Sequence, residues 1–572
     1  MRPAPLSCYN VGVMGPLSER LRAQPFTATL IAAGVVLLFF WQLGAVPLTE
    51  PDEGRYTEVP REMLARGDFV TPRLDGVLYF EKPPLTYWLG AAAIRAFGLN
   101  EFAARFWMAL FAVLGVVVVW RLGRDIGGPR VGLLAAGALA TMPLYLAVGR
   151  LVTLDMTLTF FITLALACFW RAHRDDGRSR RLFWYGAFVA AALATLTKGL
   201  IGVVIPAAVA GIYIALTRQW RVLARMPWLA GCALFLLVAA PWHVLAAMRN
   251  PDFLQFYFVH EHFLRFATAS ADRQEAWWYF VAIIVAGCLP WSGLLPGLVR
   301  RRSAAADERH HSRVFLLTWF LFVFLFFTLS QSKLVPYVLP ALPPFAVLAA
   351  LTLDEGVAER GWRRRLTQAG LVLASLLVGA LGGVLIWAGL GRLDREGLRG
   401  EFLPAQIVGG LALVAVALAV CVAALGASRR WRVALAGAGI ALALVLLSLG
   451  PLIARGRSSR SVAEQLRPRL HADDLVFAYG CFPTSLPVYL EREIGVVDYP
   501  SELAFGMSHL SQVELSAGFP TVAQFRATWT GGRRVFVVAT SNGLRRLESE
   551  GLPNAVRLWQ DAGYALICNG PD

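Results

Sequence analysis

Eight carboxylates, Glu50, Asp52, Glu53, Glu58, Glu62, Asp68, Asp75 and Glu81, fall in one polar stretch between two apolar runs. Asp52 and Glu53 are adjacent in a tight Pro51–Gly54 turn at the end of the first run. A carboxylate there can accept a proton from an attacking hydroxyl or support positive charge growing on an electrophilic carbon. As ordinary structure, Asp52 would cap a helix starting near Arg55, and Glu58 and Glu62 read as a solvated helix face. The run Phe80-Glu81-Lys82-Pro83-Pro84 sets opposite charges before two prolines. The prolines withhold backbone donors and pin both side chains just before the next apolar run, although an interfacial ion pair beside a turn has the same appearance.

Further along, Asp155 opens an apolar run, where an ionised carboxylate is costly unless it is paired or faces water. His260-Glu261-His262 with Arg265 offers imidazoles that can bind metal beside a cation that can hold phosphate, or simply a surface loop. Ser332-Lys333 leads to Tyr337, which also suits a snorkelling lysine with an interfacial tyrosine. Acids, candidate ligands and the separated cations Lys82, Arg265 and Lys333 suit a substrate with a lipid tail and a phosphate head.

The elements that must position these groups are set by composition. The chain has 572 residues, 57% of them hydrophobic, and a mean hydropathy of +0.56, more apolar surface than a soluble globule of this size buries. Apolar runs recur near the roughly twenty residues that cross a bilayer as helix, and about thirteen spans are expected. The formal charge of +16 is spread over short links such as Arg171–Arg181, Arg300–Arg313, Arg360–Arg365 and Arg429–Arg432. That is a topology signal, and no nucleic-acid-binding patch is expected. With the N-terminus inside, every candidate site residue falls on the exported side.

The expected organisation is an N-terminal cytoplasmic segment (1–25), a transmembrane domain (26–453) with two long exported loops (48–100 and 249–276), and an exported tail (454–572). The first loop should form short amphipathic helices at the membrane interface, with Pro60 interrupting the first of them. In the tail, Leu475–Tyr479, Ile494–Val497 and Val535–Ala539 read as buried strands, with helices at Val462–Leu470, Thr521–Trp529 and Asn542–Glu550, so a small α/β domain is expected. Cys481 and Cys568 could pair there. His243 reads as a buried span residue.

The ordered set Pro51-Asp52-Glu53-Gly54-Arg55-Tyr56, Arg61-Glu62-Met63-Leu64, Tyr79-Phe80-Glu81-Lys82-Pro83, Leu196-Thr197-Lys198-Gly199, Glu261-His262, Arg265-Phe266-Ala267 and Lys333 through Pro340 resembles the bacterial ArnT-like aminoarabinose transferases. These belong to the protein O-mannosyltransferase group with the glycosyltransferase C (GT-C) fold. The resemblance implies a polytopic α-helical membrane protein of the bacterial inner membrane, a monomer among membrane lipids, with its active site and C-terminal α/β domain facing the periplasm. It implies transfer of a sugar, 4-amino-4-deoxy-L-arabinose or a related one, from undecaprenyl phosphate to lipid A or another outer-leaflet acceptor, with inversion. By motif, Asp52, with Glu53 beside it, and Asp155 become catalytic acids. Lys82, Arg265, Tyr79, Tyr337, Lys198 and Lys333 surround the donor phosphate, and Glu81 with His262 matches a pair that binds a divalent metal, zinc. A protein O-glycosyltransferase with the same donor, and a lipid-linked sugar flippase, are the competing readings.

Overall fold

The computed structural model describes residues 25–175, 177–264, 275–298, 307–355, 362–390, 403–425 and 431–570. Among them, eight helices are long and apolar enough to cross a membrane, and a ninth crossing results if the bent pair Tyr279–Gly287 and Trp291–Leu298, turned by 118°, counts as one. The expected thirteen is reached only if four further apolar segments also cross: Pro25–Phe40, Pro129–Thr141 with Pro143–Val148, Arg180–Lys198 and Ile201–Thr217. Large side chains such as Leu229, Leu237, Val422 and Val433 point outward, where lipid rather than water suits them. The chain is a multi-pass membrane protein. Its helices pack on backbone in places: a methyl on Gly132 would lie 2.6 Å from the Trp120 carbonyl oxygen, so helices Glu101–Gly127 and Pro129–Thr141 approach as only small residues allow.

The first long loop carries two helices, Asp52–Arg66 and Leu85–Phe97, with a hairpin between them. Helix Asp52–Arg66 runs unbroken through Pro60 and ends at Gly67, whose φ of 66° is the left-handed stop that glycine permits. A two-stranded hairpin follows, β1 (Arg73–Leu74) and β2 (Val77–Leu78), turned by Asp75 and Gly76 at φ 52° and 80°, the geometry that makes Asp-Gly a hairpin signal. Both pieces lie beneath the tail. One core joins Leu48, Tyr56, Val59 and Met63 of the loop to Val462, Leu486 and Ile494 of the tail. Glu58 and Glu62 are therefore buried, not solvated.

The tail carries the expected strands as β3 (Leu475–Tyr479), β4 (Gly495–Val497) and β5 (Val535–Thr540). Helices Arg460–Leu466, Val522–Thr530 and Ser541–Ser549 stand close to where they were expected. Thr521 and Gln524 form a reciprocal capping box, which is why that helix begins where it does. Two more strands, β6 (Val556–Gln560) and β7 (Tyr564–Cys568), complete a sheet of order β4-β3-β5-β7-β6. The first three strands are parallel and the last two antiparallel. Cys481 and Cys568 are both free thiols, so the pairing considered from sequence is not made.

Candidate active site

The turn before helix Asp52–Arg66 brings Asp52 to the surface of the loop, with its side chain 47% exposed and one ion pair, to Arg55 at 3.2 Å. Asp52 is the first helical residue, with no side-chain cap bond before it. It is thus not the cap that the ordinary reading supplied, though its charge suits the helix N-terminus. Arg55 is buried and bridges Asp52 to Glu502 of the tail. Burial, with Glu81 and Asp52 nearby, pushes the Glu502 carboxyl up to about 7 against the pull of Arg55. Tyr56, Tyr79 and Tyr87 line the same place, and burial drives all three hydroxyls well above their usual range. The charges of Asp52, Glu81 and Asp155 all reach Tyr56, so three separate segments converge there. The hydroxyls of Tyr79 and Tyr87 and the Nε of Arg55 are buried with no protein hydrogen-bond partner. Orphaned groups of this kind cost about 1–3 kcal/mol each, a cost that a polar ligand can offset.

A second group of expected residues meets beside it. Lys198, at the end of helix Arg180–Lys198, donates to Asp155 at 2.6 Å and stands 4.4 Å from the ring centre of Tyr337. Thus Asp155, Lys198 and Tyr337 form one constellation from three elements. Lys82 donates to Glu261 at 2.9 Å and to the Glu81 carbonyl at 2.7 Å, with the Glu81 carboxylate 4.0 Å away. Phe505 of the tail stacks on Phe256 and lies near Phe80, so tail, first loop and second loop interlock around Lys82. Lys333 is buried and donates to the Glu275 carbonyl at 3.1 Å, apart from the other lysines' partners. Arg265 lies outside the described residues, as does the side chain of His262. His260 is exposed and 3.6 Å from Glu261. His243 sits within helix Trp228–Arg249 on the Ala239 carbonyl, as a span residue would.

Glu53 is the main correction. It turns inward from Asp52 and accepts two 2.7 Å hydrogen bonds from Arg105. It also accepts from the Val152 amide and from both the amide and hydroxyl of Thr49, each at 2.9 Å. Burial opposes its charge, but Arg105 and the amides override it and hold the carboxyl below its usual range. A fully bonded carboxylate of this kind braces the turn and is closed to substrate. Sequence reasoning missed Arg105, Arg55 and Glu502. The first lies inside an apolar helix, where an arginine demands a partner, and that signal was available. No local pattern marks Glu502.

Residues 26–257 match the family described as dolichyl-phosphate-mannose-protein mannosyltransferase. Residues 462–569 match the aminoarabinose transferase C-terminal domain. A crystal structure of ArnT from Cupriavidus metallidurans bound to undecaprenyl phosphate superposes with a TM-score of 0.81 at 26% identity, covering 96% of this chain and 99% of that one. Along its length the chain is similar to the ArnT-like GT-C fold glycosyltransferases. Among other ArnT-like proteins, the undecaprenyl phosphate-alpha-4-amino-4-deoxy-L-arabinose arabinosyl transferase of Pseudomonas aeruginosa (strain UCBPP-PA14) is 36% identical over 364 residues, 62% of this chain and 65% of that protein. The namesake from Edwardsiella ictaluri is 34% identical over 363 residues, again 62% of this chain and 63% of its own length. The aligned region therefore spans just under two thirds of these curated ArnT-like relatives. Among the described residues no three His, Cys, Asp or Glu side chains gather as a metal site. Of the Glu81–His262 pair, only Glu81 has a described side chain.

Proposed function

We propose that this chain transfers a sugar from a polyprenyl phosphate donor to an acceptor at the outer leaflet of the bacterial inner membrane. The donor is undecaprenyl phosphate carrying 4-amino-4-deoxy-L-arabinose or a related sugar, and the acceptor is lipid A or another outer-leaflet glycan. The observation that carries the reading is the convergence of Asp52, Arg55, Glu502 and the orphaned Tyr79 and Tyr87 hydroxyls next to Lys82 and the Asp155–Lys198–Tyr337 group. Buried polar atoms without partners suit a sugar, and cations beside them suit its phosphate.

In this reaction the acceptor oxygen forms a bond to the anomeric carbon while the bond from that carbon to the phosphate oxygen breaks. The bonding pair leaves with the polyprenyl phosphate. The leaving group gains negative charge, so Lys82 and Lys198, with Arg265, do most by standing where that charge develops. Asp155 holds Lys198 in place. Asp52 takes the proton if the acceptor is a hydroxyl. If the acceptor is a phosphate monoester, whose second pKa is roughly 6, no base is needed, and Asp52 supports positive charge on the sugar. Glu81 with His262 is the pair that the resemblance assigns to zinc.

Purified protein in nanodiscs, given labelled donor and either lipid A or membrane protein, tests the reading. Label should appear in lipid A, and Asp52→Asn should abolish it. Label found only in protein would favour the O-glycosyltransferase reading, and transbilayer movement of donor without transfer would favour a flippase.

A further inference from the structure

The half-exposed carboxylate of Asp52 makes one ion pair among the described residues, at 3.2 Å to the buried Arg55, so something else must hold the turn. That turn is gripped by the tail. Thr484 Oγ1 lies 2.5 Å from Glu50 Oε2 and 2.6 Å from the Pro51 carbonyl, the two residues just before Asp52. The Ser485 amide donates to Glu50 at 3.0 Å, and the Ser485 hydroxyl donates to the same carboxyl. Ser485 Oγ in turn accepts from the Ser459 amide at 3.3 Å and lies 2.6 Å from the Ser459 hydroxyl. On the other side, the Glu50 amide donates to Arg457 at 2.7 Å and the Leu48 amide to Tyr489 at 2.7 Å. The fit is tight enough to dictate residue type: a methyl on Gly54 would fall 2.3 Å from the Ser485 nitrogen.

We propose that Thr484 and Ser485, acting through Glu50 and Pro51, are positioning residues that fix the Asp52 turn, so that the tail is part of the catalytic apparatus. The inference rests on Asp52 being the catalytic carboxylate. The proton count favours a neutral Glu50. Thr484 has one hydroxyl proton for two acceptors, and among the described residues no cation pairs with the half-buried Glu50, whose carboxyl is pushed above its usual range by loss of solvation. A Glu50 that keeps its proton donates to Thr484, which then donates to Pro51, and every group is satisfied.

Turnover and donor KM in nanodiscs, with thermal unfolding measured on the same samples, separate positioning from mere stability. Thr484→Val and Glu50→Ala should lower kcat about ten-fold or more, because sub-ångström displacement at a reacting centre is costly, while donor KM stays within about two-fold. Thr484→Ser keeps the hydroxyl, and Glu50→Gln mimics the neutral acid, so both should restore kcat to within about three-fold of wild type. Ser485→Ala is a second arm that removes only a hydroxyl: recovered in folded form with wild-type kcat, it overturns the proposal whatever the fate of the other variants. If Asp52→Asn turns over normally, the reading of Asp52 is at fault. If Asp52→Asn is inactive while Thr484→Val and Glu50→Ala match wild type, the positioning role is wrong.

Discussion

Asp52 and Glu53 are neighbours in sequence with opposite fates, and replacing each by its amide should separate catalysis from support. In Glu53→Gln, one of two accepting oxygens becomes an NH2 group. Arg105 and either Thr49 or Val152 then lose an acceptor, and the Arg105 guanidinium, 1% exposed in its side chain, is left without a countercharge. Breaking one side of a buried ion pair costs about 3–5 kcal/mol. Asp52→Asn removes a half-exposed pair at 3.2 Å, worth about 0.2–1 kcal/mol. Thermal unfolding of the purified protein should therefore drop by several degrees for Glu53→Gln and hardly move for Asp52→Asn. Turnover measured well below both melting temperatures should do the reverse. Asp52→Asn should lose on the order of 10²–10⁴-fold if it is the general base, while Glu53→Gln stays near wild type per folded molecule. A Glu53→Gln protein that melts with the wild type yet loses turnover like Asp52→Asn would refute the assignment of Glu53 as a brace.

Three further outcomes are expected. Burial and the neighbouring Glu58 push Glu62 up to about 7 from its usual 4.5, so this acid binds a proton more tightly in the folded protein than in the unfolded one. Its contribution to stability is whole below about 4.5 and lost as pH rises through 7, on the order of 3 kcal/mol in total. Melting temperature should thus fall between pH 5.5 and 8, and Glu62→Gln should flatten that fall; an unchanged slope would count against it. Lys82→Gln and Lys198→Gln should each lower kcat/KM for the donor by about ten-fold or more, through lost stabilisation of the departing phosphate, measured with saturating acceptor. Gly54→Ala should destabilise the docked tail by about 1–3 kcal/mol or more, because its methyl meets Thr484 and Ser485 backbone; limited proteolysis of the tail is the direct assay.

Much of the fold was legible because its signals are local. Apolar run length gives the spans, and β3, β4 and β5 are short hydrophobic runs between turn residues. The β6 strand escaped because Val556-Arg557-Leu558-Trp559-Gln560 is an edge strand with a largely exposed face and shows no buried run. The hairpin at Asp75-Gly76 was missed although its turn pair was plain to read. Glu58 and Glu62 were misplaced for a different reason. Their spacing does describe one helix face, but what covers that face is Gly76 and the Glu493–Ile494 segment, the latter more than four hundred residues away. Periodicity reports that a face exists and says nothing of a distant partner.

The site itself divides in the same way. Residues whose chemistry is anomalous for their surroundings could be found, Asp155 at the mouth of a span and Asp52 in a proline turn, whereas Lys198 came only from the resemblance. The structure brings Asp155, Lys198 and Tyr337 together and sets Asp52 close by. What sequence could not give is the division of labour among adjacent acids, because that depends on which cation folds back to meet each one. Arg105 claims Glu53, whereas Arg55 is shared between Asp52 and Glu502. The shared arginine links the first loop to the tail, and the Thr484–Ser485 grip links them a second time within two residues of Asp52. A tail joined at two points around one carboxylate cannot shift without moving that carboxylate. Changes in the tail should therefore register in turnover before they register in acceptor choice.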